Sequence, residues 1–307
     1  MNVTDLTIQA DSLLQSIRDG NIRVLARCIS LIENETYGYL KLLESLEDDG
    51  STPVIGITGP PGSGKSTLVD GLVAQWVQQD KKVAVLCVDP SSPFHLGALL
   101  GDRIRMSDWY NHPRVFIRSL ATRGSLGGLH PKIVEISDLL KAAQFDFIII
   151  ETVGVGQSEV EISALADTTV VVFVPEAGDD IQTMKAGLIE IADIFVVNKC
   201  DRPDADLFIK HLQSIFDFNI INAHKQPVII KTIASEKKGL PELAEKILQH
   251  QRNINTIQKI ELLTEKVYRL IVQKRMHDIS KNELAEKIQK AMQTAGFNLY
   301  QFVKRNF

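Results

Sequence analysis

The chain has 307 residues, 44% of them hydrophobic, with 34 Lys and Arg set against 38 Asp and Glu for a formal net charge of -4. This apolar share supports a sizeable core and excludes a disordered chain, and the mildly acidic balance gives no electrostatic reason to expect nucleic acid as a partner. At roughly 150 residues per domain, the length suits one large domain with extensions or two domains.

The opening MNVTDLTIQADSLLQ carries neither a basic region nor an apolar one, so it does not read as a secretory signal. Residues 4–48 read as helical, with Leu13, Leu14 and Ile17 on one face and Leu25, Cys28, Ile29 and Ile32 on another. Asp49, Gly50 and Ser51 break that pattern. From Val54 onward, short β-branched runs alternate with helical segments, the texture of βαβ units and a mostly parallel sheet. The predicted strands are 54–58, 83–88, 115–119, 146–151, 169–174, 194–198 and 227–232. Helical patterns lie between them near 65–79, 131–143, 158–166, 180–191, 204–217 and 240–250. The strands are continuous apolar runs, as parallel strands covered on both faces should be.

After about residue 251 the texture is helical again. Ile257, Ile260, Val267, Leu270 and Ile271 form a stripe, and Asn282 to Thr294 predicts a further helix that Gly296 ends. The expected plan is a helical N-terminal arm over 1–50, a doubly wound α/β domain over 51–250 and a helical C-terminal arm over 251–307. No run reaches the ~20 apolar residues of a membrane helix, so no membrane partner is expected. Cys28, Cys87 and Cys200 are odd in number and widely spaced, which argues against a disulfide framework or a zinc site; a reducing compartment, by default the cytoplasm, follows.

Gly59-Pro60-Pro61-Gly62-Ser63-Gly64-Lys65-Ser66 matches G-x-x-x-x-G-K-[ST] and stands between a predicted strand and a predicted helix, the context that a P-loop requires. The glycines let backbone N–H groups turn inward around a phosphate, and the helix N-terminus places partial positive charge beneath it. Lys65 is expected to reach the β- and γ-phosphates, the Ser66 hydroxyl to ligate Mg²⁺, and Thr67 to lie near the α-phosphate.

Asn198-Lys199-Cys200-Asp201 follows another predicted strand in the N-K-x-D pattern of guanine-specific proteins. The Asp201 carboxylate can accept from guanine N1–H and N2–H₂, whereas adenine offers an acceptor and a C–H there and would leave the carboxylate unpaired. An unpaired buried partner costs enough to discriminate strongly. Lys199 is expected along the base plane, and Asn198 to pin neighbouring loops. After the last strand, Thr232-Ile233-Ala234 offers the Ala234 N–H to guanine O6.

Glu151-Thr152-Val153-Gly154 ends the run FDFIII, where a carboxylate can serve magnesium and Gly154 can offer its N–H to the γ-phosphate. Asp89 ends the run LCVD, and Asp102 lies in LGDRIRM. With Ser66, these three carboxylates make a hard, oxygen-rich magnesium site. Gln157 and Glu159 are candidates for orienting the attacking water, and Arg103, Arg105 and Arg123 for a charge-stabilising arginine. The acidic loop Pro175 to Asp180 reads as a mobile switch or a solvated turn.

Taken together, GPPGSGKST, VDPSSPF, LGDRIRM, ETVGVGQSE, PEAGDDIQ and NKCD resemble the MeaB/ArgK family of P-loop GTPases, the family of the methylmalonic aciduria type A protein. The resemblance covers essentially the whole chain. It implies a G-protein chaperone that couples GTP binding and hydrolysis to cofactor loading and protection of an adenosylcobalamin-dependent acyl-CoA mutase, usually methylmalonyl-CoA mutase. By motif position, Lys65, Ser66, Asp89, Asp102 and Glu151 correspond to the family's nucleotide and magnesium residues, and Asn198, Lys199 and Asp201 to its base readers. Residues 175–185 correspond to a switch facing the mutase. The resemblance also implies a homodimer to which the C-terminal arm contributes; the stripe at 257–271 suits that role and packing on its own domain equally. Phe94 to Ala98 fall where many members have a run of small residues and glycines.

Two other activities remain to be weighed. A metal-delivery GTPase of the nickel-insertion type normally shows a Cys/His motif near the switches or a His-rich tail, and neither is present. An ATP-dependent, transport-associated kinase conflicts with N-K-x-D.

Overall fold

The computed structural model describes residues 3–47, 52–89, 106–123, 128–152, 154, 158–175, 186–218, 228–293 and 297–307. Three helices precede the sheet: α1 (Val3–Arg18), α2 (Ile22–Glu33) and α3 (Tyr39–Glu44). Strands and helices then alternate as β1 (Val54–Thr58), α4 (Lys65–Val77), β2 (Val83–Asp89), β3 (Val115–Ala121), α5 (Ile133–Ala142), β4 (Phe147–Glu151) and α6 (Ser158–Glu161). The alternation continues through β5 (Thr168–Phe173), α7 (Ala186–Ile191), β6 (Ile194–Val197), α8 (Ala205–Phe218), β7 (Val228–Lys231) and α9 (Leu240–Asn253). Last come α10 (Thr256–Met276), α11 (Lys281–Met292) and α12 (Leu299–Asn306).

The seven strands form one sheet in the order β3-β2-β4-β1-β5-β6-β7, and every pairing is parallel. The five inner strands are buried along their whole length, while β3 and β7 at the edges are partly exposed. This is why the inner strands read as unbroken apolar runs: helices cover both faces. On one face, Trp76 of α4 stacks on Phe147 with ring centroids 4.1 Å apart, inside a cluster that includes Leu68, Leu72, Leu243 and Ile247. On the other, Phe173, Phe195, Phe208 and Leu212 seat α8. The predicted helix over 158–166 is a short α6 followed by a 3-10 turn, Ile162–Ala164. The turn lets Ile162 reach the sheet at Gly56, where a β-carbon would stand 2.5 Å from Ile162 Cγ1.

The first helices pack by the faces that the sequence marks: Leu14 and Ile17 of α1, and Leu25, Cys28, Ile29 and Ile32 of α2, are buried. The Asn21 side chain caps α2 by accepting from Val24 N. The C-terminus of α2 is also held by charge. Arg118 of β3 donates to the Glu33 carboxylate and to Ser30 Oγ, and Arg123 donates to Glu33 O at 2.7 Å and Asn34 Oδ1 at 3.2 Å. Lys132 pairs with Glu35 at 2.7 Å and with Glu135 at 3.3 Å. His130 is fully buried beside them, its Nδ1 accepting from Lys132 N and its Nε2 4.0 Å from Glu33 Oε1.

The chain divides into two units, Met1–Leu262 and Leu263–Phe307. In the second, Phe302 is buried against Phe297, and Ser280 and Asn298 cap α11 and α12. The apolar stripe along α10 is largely exposed: Ile257 at 68%, Ile260 at 57% and Val267 at 53%. No helix among the described residues is long and apolar enough to cross a membrane. None of the three cysteines forms a disulfide.

Burial, reinforced by the Arg123, Lys132 and Arg118 cations, pushes His130 down to about 4. The unfolded chain therefore binds a proton near pH 6.5 that the native chain refuses until about pH 4, so stability falls on acidification through that window. The loss amounts to roughly 3 kcal/mol. Urea unfolding at stepped pH should show it, and His130→Gln should flatten that part of the profile. An unchanged acid slope in the variant would contradict this assignment.

Candidate nucleotide site

The loops singled out by the sequence gather at the carboxyl ends of the parallel strands, where α/β sheets bind ligands. Residues 59–64 leave β1, Asp89 ends β2, Glu151 ends β4, Asn198 follows β6 and Thr232 follows β7. The order β2-β4-β1-β5-β6-β7 places the two carboxylate strands to one side of the P-loop and the loops that follow β6 and β7 to the other.

The P-loop closes onto α4 through Gly64 in a left-handed conformation, φ 91°. That glycine brings no capping side chain, so the first-turn N–H groups suit an anion. A β-carbon there would stand 2.4 Å from Asn198 Nδ2, so the P-loop and the base loop are packed against each other. Lys65 is buried, and its Nζ donates to Gly59 O at 2.9 Å and Pro60 O at 3.1 Å. Gly154 lies over the same loop: a β-carbon on it would fall 2.3 Å from Gly59 O and 2.4 Å from Lys65 Nζ. Thr67 is exposed on the first turn of α4. Pro61 and Gly62 are exposed at the tip of the loop, and Ser63 is fully buried.

Ser66 Oγ donates to Glu151 Oε1 at 2.7 Å, which places a hydroxyl oxygen beside a carboxylate. Cys87 pairs with Glu151 across β2 and β4, so Asp89, two residues on, presents its side chain to the same face of the sheet as Glu151. Both carboxylates are buried. One hydroxyl and two carboxylates are hard oxygen donors, and they fit magnesium by their chemistry. Thr58 and Thr152 bond through their hydroxyls at 2.8 Å and fasten the ends of β1 and β4 beneath this group. The sequence marks those threonines only as polar residues closing apolar runs.

On the other side, the Asn198 side chain joins three loops. Its Nδ2 donates to Ser63 O at 2.9 Å, and its Oδ1 accepts from Thr232 Oγ1 and from Ala234 N, each at 3.0 Å. Lys199 has φ 57° and donates to Gly62 O at 2.8 Å, so it braces the P-loop. Asp201 is exposed. The structure departs from expectation at Ala234. Its N–H, expected at guanine O6, is engaged by Asn198 Oδ1 and would have to be shared to contact a base. Ile233 is held by an antiparallel bridge to Lys238.

Asp102, Gln157, Arg103, Arg105, Phe94 to Ala98 and the switch at 176–185 lie outside the described residues, as does the Glu159 side chain. Arg123, weighed as a charge-stabilising arginine, is instead directed to the end of α2. A contact that the sequence does not signal runs from Trp109 Nε1 to Asp70 Oδ1, 2.6 Å, tying the 3-10 turn Ser107–Trp109 to α4.

A sequence profile of the family described as methylmalonyl Co-A mutase-associated GTPase MeaB matches residues 25–293. A Pyrococcus horikoshii protein described as a "Putative GTPase" is 47% identical over 246 residues, 79% of this chain and 78% of that one. A fused isobutyryl-CoA mutase of Geobacillus kaustophilus is 39% identical over 212 residues, 66% of this chain and 19% of that one. A crystal structure described as an LAO/AO transport system kinase matches with a TM-score of 0.67 at 23% identity, covering 99% of this chain and 97% of that one; this is a likeness of fold.

Replacing Asn198 with Ala strips partners from Ser63 O, Thr232 Oγ1 and Ala234 N at once. Asn198→Ala should cost about 3 kcal/mol in chemical unfolding and weaken GDP binding at least tenfold by calorimetry. Wild-type stability together with wild-type affinity would remove Asn198 from its linking role.

Proposed function

The chain belongs to the MeaB family of methylmalonyl-CoA mutase-associated GTPases, and on that premise we propose that it is a magnesium-dependent G-protein chaperone of an adenosylcobalamin-dependent acyl-CoA mutase, methylmalonyl-CoA mutase foremost. Hydrolysis of GTP is the family's activity. What carries the guanine assignment to these residues is the Asn198 side chain, which holds the P-loop and both base loops in one arrangement. The mutase assignment is supported by the family's description and by the relative in which such a segment forms part of a fused acyl-CoA mutase.

In this reading, Asp201 accepts from guanine N1–H and N2–H₂, and the P-loop N–H groups cradle the phosphates. Lys65, poised on the Gly59 and Pro60 carbonyls, transfers its donors to the β- and γ-phosphate oxygens. Water attacks the γ-phosphorus in line as the bond to the β–γ bridging oxygen breaks, GDP leaves and the water's proton passes to the released phosphate or to solvent, while Lys65 stabilises the charge that develops on the phosphoryl oxygens. Ser66, Asp89 and Glu151 would hold magnesium, with Asp102 as a further carboxylate, and the bound ion would supply charge neutralisation at the phosphates. Gly154, packed on Gly59 and Lys65, offers its N–H to the γ-phosphate, so loss of that phosphate changes a contact in the switch that follows. Gln157 is the candidate for orienting the water. The exposed stripe along α10 supports a homodimer in which this helix is covered by a second copy.

Calorimetry with GDP and ADP tests the guanine site. GDP should bind at least a hundredfold more tightly, and Asp201→Asn should exchange that preference for xanthine nucleotides, since the amide inverts one donor–acceptor pair. Equal affinity for ADP would transfer support to the transport-kinase reading. Lys65→Ala should lower hydrolysis by two orders of magnitude or more, and a variant with normal turnover would remove the P-loop lysine from the mechanism.

A further inference from the structure

The carboxylate edge of the nucleotide site is tied to the N-terminal helices by a short hydrogen-bonded path. Asp89 ends β2, and its carbonyl accepts from Thr122 N at 3.0 Å, one residue past the end of β3. The next residue, Arg123, holds φ 47°. A left-handed conformation costs a non-glycine residue about 1 kcal/mol and persists where other contacts fix it. Those contacts are the two guanidinium bonds to Glu33 O and Asn34 Oδ1, made where α2 ends and its dipole is negative.

The same end of α2 also grips the strand before this turn and the segment after it. Arg118 holds the Glu33 carboxylate, whose side chain is only 11% exposed, and Lys132 pairs with Glu35. Charge-assisted bonds with this much burial are stronger than exposed pairs. Three successive residues of the arm, Glu33, Asn34 and Glu35, thus fix three cations along 118–132. Thr122 and Arg123 lie within that stretch, and Thr122 N is bonded to Asp89 O.

We infer that Arg123 is a positioning residue for GTP hydrolysis: anchored on the C-terminus of α2, it holds the Thr122 turn against the end of β2 and so sets Asp89 for the cation. The N-terminal arm is then part of the catalytic apparatus, and any partner that shifts α2 alters magnesium use from outside the site. The inference rests on the proposed magnesium role of Asp89.

The test is GTP hydrolysis as a function of Mg²⁺ concentration in wild type, Arg123→Asn and Arg123→Lys. Asparagine tolerates the left-handed backbone and deletes the guanidinium, so the fold is spared. Arg123→Asn should raise the Mg²⁺ concentration for half-maximal hydrolysis about tenfold. Its GDP affinity in EDTA should stay within twofold of wild type. Arg123→Lys, which retains a donor for Glu33 O, should recover most of the shift. An Arg123→Asn enzyme with lowered thermal stability but a wild-type Mg²⁺ midpoint would overturn the inference and leave the contact structural. Wild-type hydrolysis indifferent to Mg²⁺ would instead overturn the magnesium reading itself, and with it the premise of this proposal.

Discussion

The nucleotide site depends on one buried amide. Asn198 stands at the end of β6 and reaches the P-loop through Ser63 O and the β7 loop through Thr232 and Ala234. These loops are far apart in sequence, and each alone is a surface turn with several accessible conformations. Bonded to one amide that is 2% exposed, they share one geometry. A buried amide left with unmade bonds is costly, so the three loops are fixed together or not at all. Gly64 has the role it has because of this amide: any side chain there would collide with Nδ2.

The opposite side of the site is organised by carboxylates and a hydroxyl. β1, β4 and β2 lie side by side, and their registers align Glu151 and Asp89 on the face that α4 covers. Ser66 enters from α4 and meets Glu151 directly. Around this edge the arm contributes Glu33, Asn34 and Glu35, which hold Arg118, Arg123 and Lys132, so the helices before the sheet belong mechanically to the domain that follows them. Trp109 adds a second brace, from the segment after β2 to Asp70 of α4.

Much of this was legible in the sequence, for physical reasons. Parallel strands buried on both faces must be continuous apolar runs, and all seven were read within two residues of where they lie. The P-loop and N-K-x-D were legible because each has a fixed length and a fixed place at a strand end. The arm's ion pairs were not, since Glu33 and Arg118 are 85 positions apart and neither carries a local pattern. Nor was the engagement of the Ala234 N–H, because only the fold brings Asn198 Oδ1 within its reach. The α10 stripe was legible as a stripe, while its exposure was not: periodicity marks a face and says nothing of what covers it.

The coupling of this guanine-nucleotide site to a partner enzyme is the central proposal. It is tested most directly by titrating purified methylmalonyl-CoA mutase into this protein with saturating GTP and Mg²⁺ while phosphate release is followed. A saturable rise in hydrolysis reaching its plateau near equimolar mutase, with a complex whose affinity differs between GDP and a non-hydrolysable GTP analogue, is the predicted result. An unchanged rate together with no complex in either nucleotide state would contradict it.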